Sequence, residues 1–81
     1  MQEFVPSEYD KEWTKHHLDM IADGGVWVTS AAIYKKIDKT TLAVVMRNDL
    51  ISNTELIEED IERVKIVCKA IGVKFIDISK Q

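Results

Sequence analysis

The sequence predicts an α+β domain in which two helices pack on a three-stranded antiparallel sheet. Two observations carry this: apolar residues change from helical spacing to alternation at Gly25, and return to helical spacing at Thr54. A third sets the scale, because 81 residues suffice for one small domain, 1–81, with 1–6 expected to be flexible. The composition, 46% hydrophobic and 31% charged with three Gly and one Pro, is that of a folded chain.

The first helix is expected over residues 8–22. Pro6-Ser7 supplies a start, since the Ser7 hydroxyl can accept from first-turn amides and Glu8 and Asp10 suit the positive helix end. Tyr9, Trp13, His16, His17, Met20 and Ile21 form one broad stripe, and Asp23-Gly24-Gly25 stops the helix. Residues 25–49 then read as a hairpin of β-branched and aromatic side chains. Its turn is placed at Asp38-Lys39-Thr40-Thr41, with a loop of either two residues (Asp38-Lys39) or four. Either loop sets Trp27, Ile33, Ile37, Leu42, Val44 and Met46 on one face and Val26, Val28, Ala32, Tyr34, Ala43 and Val45 on the other.

Arg47-Asn48-Asp49 breaks the returning strand, and Ser52-Asn53-Thr54 offers caps for a second helix over 54–71. Ile57, Ile61, Val64, Cys68 and Ile71 recur in steps of four, three, four and three, the cleanest period in the chain, and Gly72 closes it. Residues 73–78 form a last strand. A right-handed crossover places that strand beside the first one, giving sheet order 2-1-3.

Eleven Lys plus Arg against fourteen Asp plus Glu leave a net charge of −3, which weakens a nucleic-acid or anionic-membrane role. A lone cysteine suits a reducing compartment, no apolar run reaches the length of a membrane span, and the amino terminus lacks a signal-peptide pattern. The expected location is the cytoplasm, with no membrane association. No residue pattern supplies a nucleophile with its base, a phosphate loop or paired carboxylates, so no enzyme activity and no cofactor or metal is expected. His16 and His17 are consecutive and diverge by about 100° on a helix, so they do not share one ion. His17 reads as a half-buried neighbour of Trp13 and Ile21, and Cys68 as a small core hydrophobe.

Two charged sets remain. Glu55, Glu58, Glu59, Asp60 and Glu62 read as a solvated helix start, or as an acidic docking surface for a basic partner. Lys35, Lys36, Lys39 and Arg47 surround the hairpin with Tyr34 among them, an arrangement suited to stacking a base and holding phosphate, or to keeping a hairpin soluble.

The stretch 16–28, with Asp23-Gly24-Gly25-Val26-Trp27 at its centre, followed by Ile33-Tyr34-Lys35-Lys36-Ile37-Asp38, resembles the lead-in of small accessory proteins encoded by tailed phages, cyanophages among them. It spans under half the chain. The resemblance implies a phage accessory or host-modulating role, acting in the host cytoplasm, and carries no site residues with it. The expected function is therefore non-enzymatic interaction with an unknown protein partner; the alternative is a small nucleic-acid-binding module. The apolar second face, Val26, Val28, Ala32, Tyr34, Ala43 and Val45, either takes the first helix in a three-layer monomer or meets its mate in a homodimer, and the homodimer is favoured.

Overall fold

The computed structural model describes residues 4–48 and 54–79. Chain order is α1 (Glu8–Met20), β1 (Val26–Val28), β2 (Ala32–Asp38), β3 (Thr41–Arg47), α2 (Thr54–Ala70) and β4 (Lys74–Asp77). The α+β class holds, but the sheet has four strands in order β1-β2-β3-β4 and is mixed: β1/β2 and β2/β3 are antiparallel, β3/β4 parallel. This corrects the expected three-stranded antiparallel sheet of order 2-1-3.

The reason for the correction lies at Thr29. Its Oγ1 accepts from the amides of Ala31 and Ala32 at 3.3 and 3.1 Å, and its own amide donates to the Ala32 carbonyl at 2.9 Å. A threonine side chain that replaces ladder bonds in this way makes a tight turn. The expected long first strand is thereby split, and β1 folds back on β2 with Trp27 opposite Tyr34. With β1 on the outer edge of β2, the last strand pairs with the free edge of β3 instead, its direction set by the α2 crossover.

The helices begin and end where local chemistry dictates. Ser7 and Asp10 form a reciprocal capping box: the Ser7 Oγ accepts from the Asp10 amide at 3.1 Å, and the Asp10 carboxylate from the Ser7 amide at 3.0 Å. Lys36 reaches across from β2 to donate to the carbonyls of Leu18 and Ile21 at 2.6 and 2.9 Å, closing the C-terminal end of α1. At the end of α2, Gly72 takes φ +81° while the Val73 amide donates to the Cys68 carbonyl and the Gly72 amide to that of Lys69, a Schellman closure. The cap candidates Ser52 and Asn53 and the break at Asp49 lie outside the described residues.

Both helices cover one face of the sheet. Leu18 of α1 and Ile57, Ile61 and Cys68 of α2 share a core with Ala32, Tyr34, Leu42 and Val44, and Trp27 and Phe75 pack against it. On α1 the buried residues are Thr14 and Leu18, whereas Tyr9, Trp13 and Met20 of the expected stripe are exposed. The periodicity was real but the helix turns its other flank inward, because the aromatic stripe rides the margin of the sheet over Trp27, with Trp13 and Trp27 ring centroids 6.0 Å apart.

Two bulges reassign the hairpin faces. The Asp38/Thr41 pair leaves a two-residue loop of Lys39 and Thr40, in place of the expected Asp38-Lys39 or four-residue loop, Ile37 is an extra residue opposite the Leu42–Thr41 step, and Val45 is extra opposite the Ile33–Tyr34 step. Pairing therefore runs Tyr34 to Val44 and Ile33 to Met46. Ala32 and Tyr34, expected on the second face, join Leu42 and Val44 beneath the helices, whereas Ile33, Ile37 and Met46 face away from them. Each extra residue shifts the period-two pattern by one, and that flips every following side chain.

Candidate functional site

The Val45 bulge turns Arg47, rather than Met46, toward the helices. There the guanidinium joins three elements: Nε donates to the Glu58 carboxylate on α2 at 2.8 Å, and Nη1 and Nη2 donate to the two Asp77 oxygens on β4 at 3.2 and 2.7 Å. Arg47 Nη1 also donates to Ser79 Oγ, which in turn donates to Asp77 at 2.6 Å. The Arg47 hydrogen bond holds the Asp77 carboxyl well below the usual carboxylate range. This latch flanks a cleft of about 260 Å³ between α2 and β4, lined further by Glu62, Lys65 and Phe75. Every nitrogen of the guanidinium is engaged within the fold, so the arrangement ties β4 and α2 to β3; it offers no open cation to a ligand. In the sequence, Asp77 and Ser79 gave no signal of it, since their partner lies 30 and 32 residues away.

The five residues expected to contact nucleic acid are dispersed by the structure. Tyr34 is fully buried, its ring 5.2 Å from Trp27 and 6.2 Å from Phe75. Lys36 closes α1, Arg47 holds the latch, and only Lys35 and Lys39 project outward. The Tyr34 hydroxyl has no hydrogen-bond partner among the described residues, and burial, helped by the nearby Asp60 carboxylate, pushes its pKa up. Of the acidic set, Glu55, Glu59 and Glu62 are exposed, but Glu58 is bound to Arg47 and half-buried. His17 stacks edge-on to Trp13 at 4.1 Å and lies 5.8 Å from Trp27, so it packs as a half-buried neighbour of the tryptophans. Cys68 is fully buried, which pushes its thiol up to about 12 and leaves it a core hydrophobe. Among the described residues, no group of three His, Cys, Asp or Glu is placed to hold a metal ion, and no helix is long and apolar enough to cross a membrane.

What the fold leaves open is the sheet face away from the helices. Register aligns it in rows. Farthest from the β2–β3 turn lie Val28, Ile33 and Met46, then Val26, Lys35, Ala43 and Ile76, then Asp38, Thr41 and Lys74 at the turn. Ile78 extends the first row, its amide donating to the Val44 carbonyl at 3.0 Å. Val26, Val28 and Met46 are 57%, 65% and 56% exposed. Of the residues expected to line a dimer face, Val26, Val28, Ala43 and Val45 belong here, while Ala32 and Tyr34 are core residues on the opposite side and are replaced by Ile33 and Met46. The bulges explain the exchange, and no sequence signal for them stands out beyond the unusually long apolar run 42–46.

The chain matches no protein-family model, no curated protein and no solved structure.

Proposed function

We propose that this chain is a non-enzymatic interaction protein whose working surface is the bare face of its sheet, and that it engages protein. The single observation that carries the reading is the row Val28, Ile33 and Met46, extended by Ile78: contiguous branched and thioether side chains on the sheet face away from both helices, with Val28, Met46 and Ile78 exposed and Ile33 half-buried between them. Monomeric surfaces seldom display apolar patches beyond a few hundred Å² unless they bind something. The supporting chemistry is that of a protein contact: an apolar row at the end away from the turn, with charge at Lys35 in the middle row and at Asp38 and Lys74 by the turn. The resemblance of residues 16–38 to phage accessory proteins, and the single buried thiol, favour a host-modulating factor working in a reducing cytoplasm.

Binding to single-stranded nucleic acid is the competing reading. It loses its stacking aromatic to the core and two of its four cations to internal bonds, and what remains at the hairpin is Lys35 and Lys39. Lys65, Lys69 and Lys74 do line a separate cleft near the end of α2, but basic residues there are what the helix macrodipole favours.

The test is capture from a host lysate by the wild-type chain beside Val28→Lys and Met46→Lys variants. A protein retained by wild type and by Met20→Lys, and lost from both face variants, supports the reading. Salt-dependent binding of labelled single-stranded DNA or RNA, abolished by Lys35→Glu/Lys39→Glu, would replace it.

A further inference from the structure

We infer that the chain pairs with a second copy of itself edge to edge, along β4 and the flank of α2 beside it, about a two-fold axis perpendicular to the sheet. This contact lies apart from the bare face. β4 is an outer strand, and its one strand partner among the described residues is β3. The amides of Lys74 and Ile78 donate inward, to the carbonyls of Thr40 and Val44 at 2.7 and 3.0 Å. Peptide groups alternate in direction along a strand, so the amides and carbonyls of Phe75 and Asp77 are directed to the open edge. Such a row is a template for another strand. Rotation about the axis lays β4 antiparallel to its mate, with Phe75 opposite Asp77 of the other copy.

Charge identifies the occupant. Along α2, Glu58, Glu62, Lys65 and Lys69 recur in steps of four, three and four. With Phe75 they line two clefts that meet at Lys65 and Phe75, so this flank looks out over the open edge of β4. Its first half is acidic, Glu55 and Glu59 adding to Glu58 and Glu62, and its second half is basic, Lys74 adding to Lys65 and Lys69. The pattern inverts about a single point, where Glu62 matches Lys65 and Glu58 matches Lys69. A two-fold axis through that point sets each acid against a base. Glu62 and Lys65 of the two copies then form a square, with unlike charges along its sides and like charges on its diagonals. Among the described residues Glu62, Lys65 and Lys69 are exposed and make no ion pair. Glu58 is held by Arg47, so selectivity falls mainly on Glu62 and Lys65. A uniformly acidic or basic partner would be repelled by one half of the flank, whereas a second copy suits both.

Strand and helix place the axis at the same level. Phe75 lies beside Lys65 in both clefts, so the midpoint of the charge pattern stands over the middle of β4. Ile61 and Cys68 of α2 share a core with Leu42 and Val44 of β3, and Phe75 of β4 packs against it. Joining the edges therefore sets the two α2 helices roughly two strand spacings, about 10 Å, apart, the distance at which helices pack. The two four-stranded sheets become one, with the helices of both copies on one side and both bare faces on the other.

Sedimentation equilibrium of the full chain and its charge variants tests the pairing. The wild type is expected at twice 9.3 kDa at tens of micromolar. Glu62→Lys and Lys65→Glu each set like charges together at two symmetric places, and should raise the dissociation constant by at least about tenfold. The double variant Glu62→Lys/Lys65→Glu exchanges the signs and should dimerise as the wild type does. An equimolar mixture of the two single variants should form a heterodimer tighter than either homodimer, since only there does each charge at the axis face its opposite. Amide exchange at Phe75 and Asp77 should be slow in the wild-type dimer and fast in Glu62→Lys. Val28→Lys, on the bare face, should change nothing. A 9.3 kDa species persisting to several hundred micromolar overturns the inference. So does a dimer indifferent to both single reversals, a mixture that fails to associate, or fast exchange at Phe75 and Asp77 in the dimer. Loss of the dimer in Val28→Lys also overturns it, and would move the contact to the bare face.

Discussion

Tyr34 and Arg47 show how differently the same interior treats two polar groups. Arg47 reaches the core side and finds partners for each nitrogen; the Tyr34 hydroxyl is fully buried and has none among the described residues. A buried, unpaired hydroxyl costs about 1–3 kcal/mol. Tyr34→Phe is thus expected to stabilise the fold by about 1 kcal/mol, with the ring stack on Trp27 and Phe75 retained; thermal or urea unfolding would measure it, and a clear loss of stability would show that the hydroxyl has a partner. Arg47→Met should instead cost roughly 1–3 kcal/mol, between the values for exposed and buried pairs. The pH response follows from Asp77. Its folded pKa lies below the unfolded value of about 3.9, so the unfolded chain binds the proton more readily. Its stabilising contribution is complete above that range and is lost as pH falls toward the folded value. In Asp77→Asn, the decline of stability below about pH 5 should be shallower than in wild type, although the variant is less stable at neutral pH.

At the scale of elements, each helix is fixed by chemistry at its ends more than by its propensity. The Ser7–Asp10 box, the lysine from β2 and the Schellman glycine all satisfy amides or carbonyls that a helix end leaves unpaired. Ser7→Ala should cost about 1 kcal/mol and fray the first turn of α1, seen as faster amide exchange at Asp10 and Lys11. Gly25 is constrained in another way. A Cβ there would lie 2.8 Å from Ile21 Cγ2 and 2.9 Å from the Ala22 carbonyl oxygen, so the α1–β1 corner admits no side chain without shifting backbone. Gly25→Ala should destabilise by about 1–3 kcal/mol and reduce the contact of Trp13 with Trp27, which tryptophan fluorescence would register.

Among the described residues, both helices lie on one face of the sheet and the other carries the exposed side chains of Val26, Val28 and Met46. A single small domain has a thin margin of stability, and covering an apolar face adds to it by mass action. The homodimer favoured by the sequence would make the unfolding midpoint of the wild-type chain rise with protein concentration, and that of Val28→Lys stay constant. A midpoint independent of concentration over a hundredfold range would contradict self-association at this face.

The helix spans, the neighbourhood of the hairpin turn and the last strand were legible in the sequence, because capping residues, the 3.6-residue period and turn chemistry act over a few neighbours; the loop itself, Lys39-Thr40, fell one residue beyond the two-residue placement. Ile57, Ile61 and Cys68 could be placed in the core for the same reason. Three features depended on tertiary structure. Thr29 made a turn inside what alternation read as one strand, since its hydroxyl takes over local amides that a ladder would otherwise use. The bulges at Ile37 and Val45 exchanged the two faces, because one extra residue inverts a period of two and the pattern of apolar residues, rich on both sides, could not mark which side was inward. And β4 chose the edge of β3, where Arg47 reaches Asp77 across 30 residues of sequence. By itself, the sequence determined that both faces of the sheet would be apolar, and left open whether the two helices divide them or share one. Which side chains remain bare was decided only when both helices settled on one face.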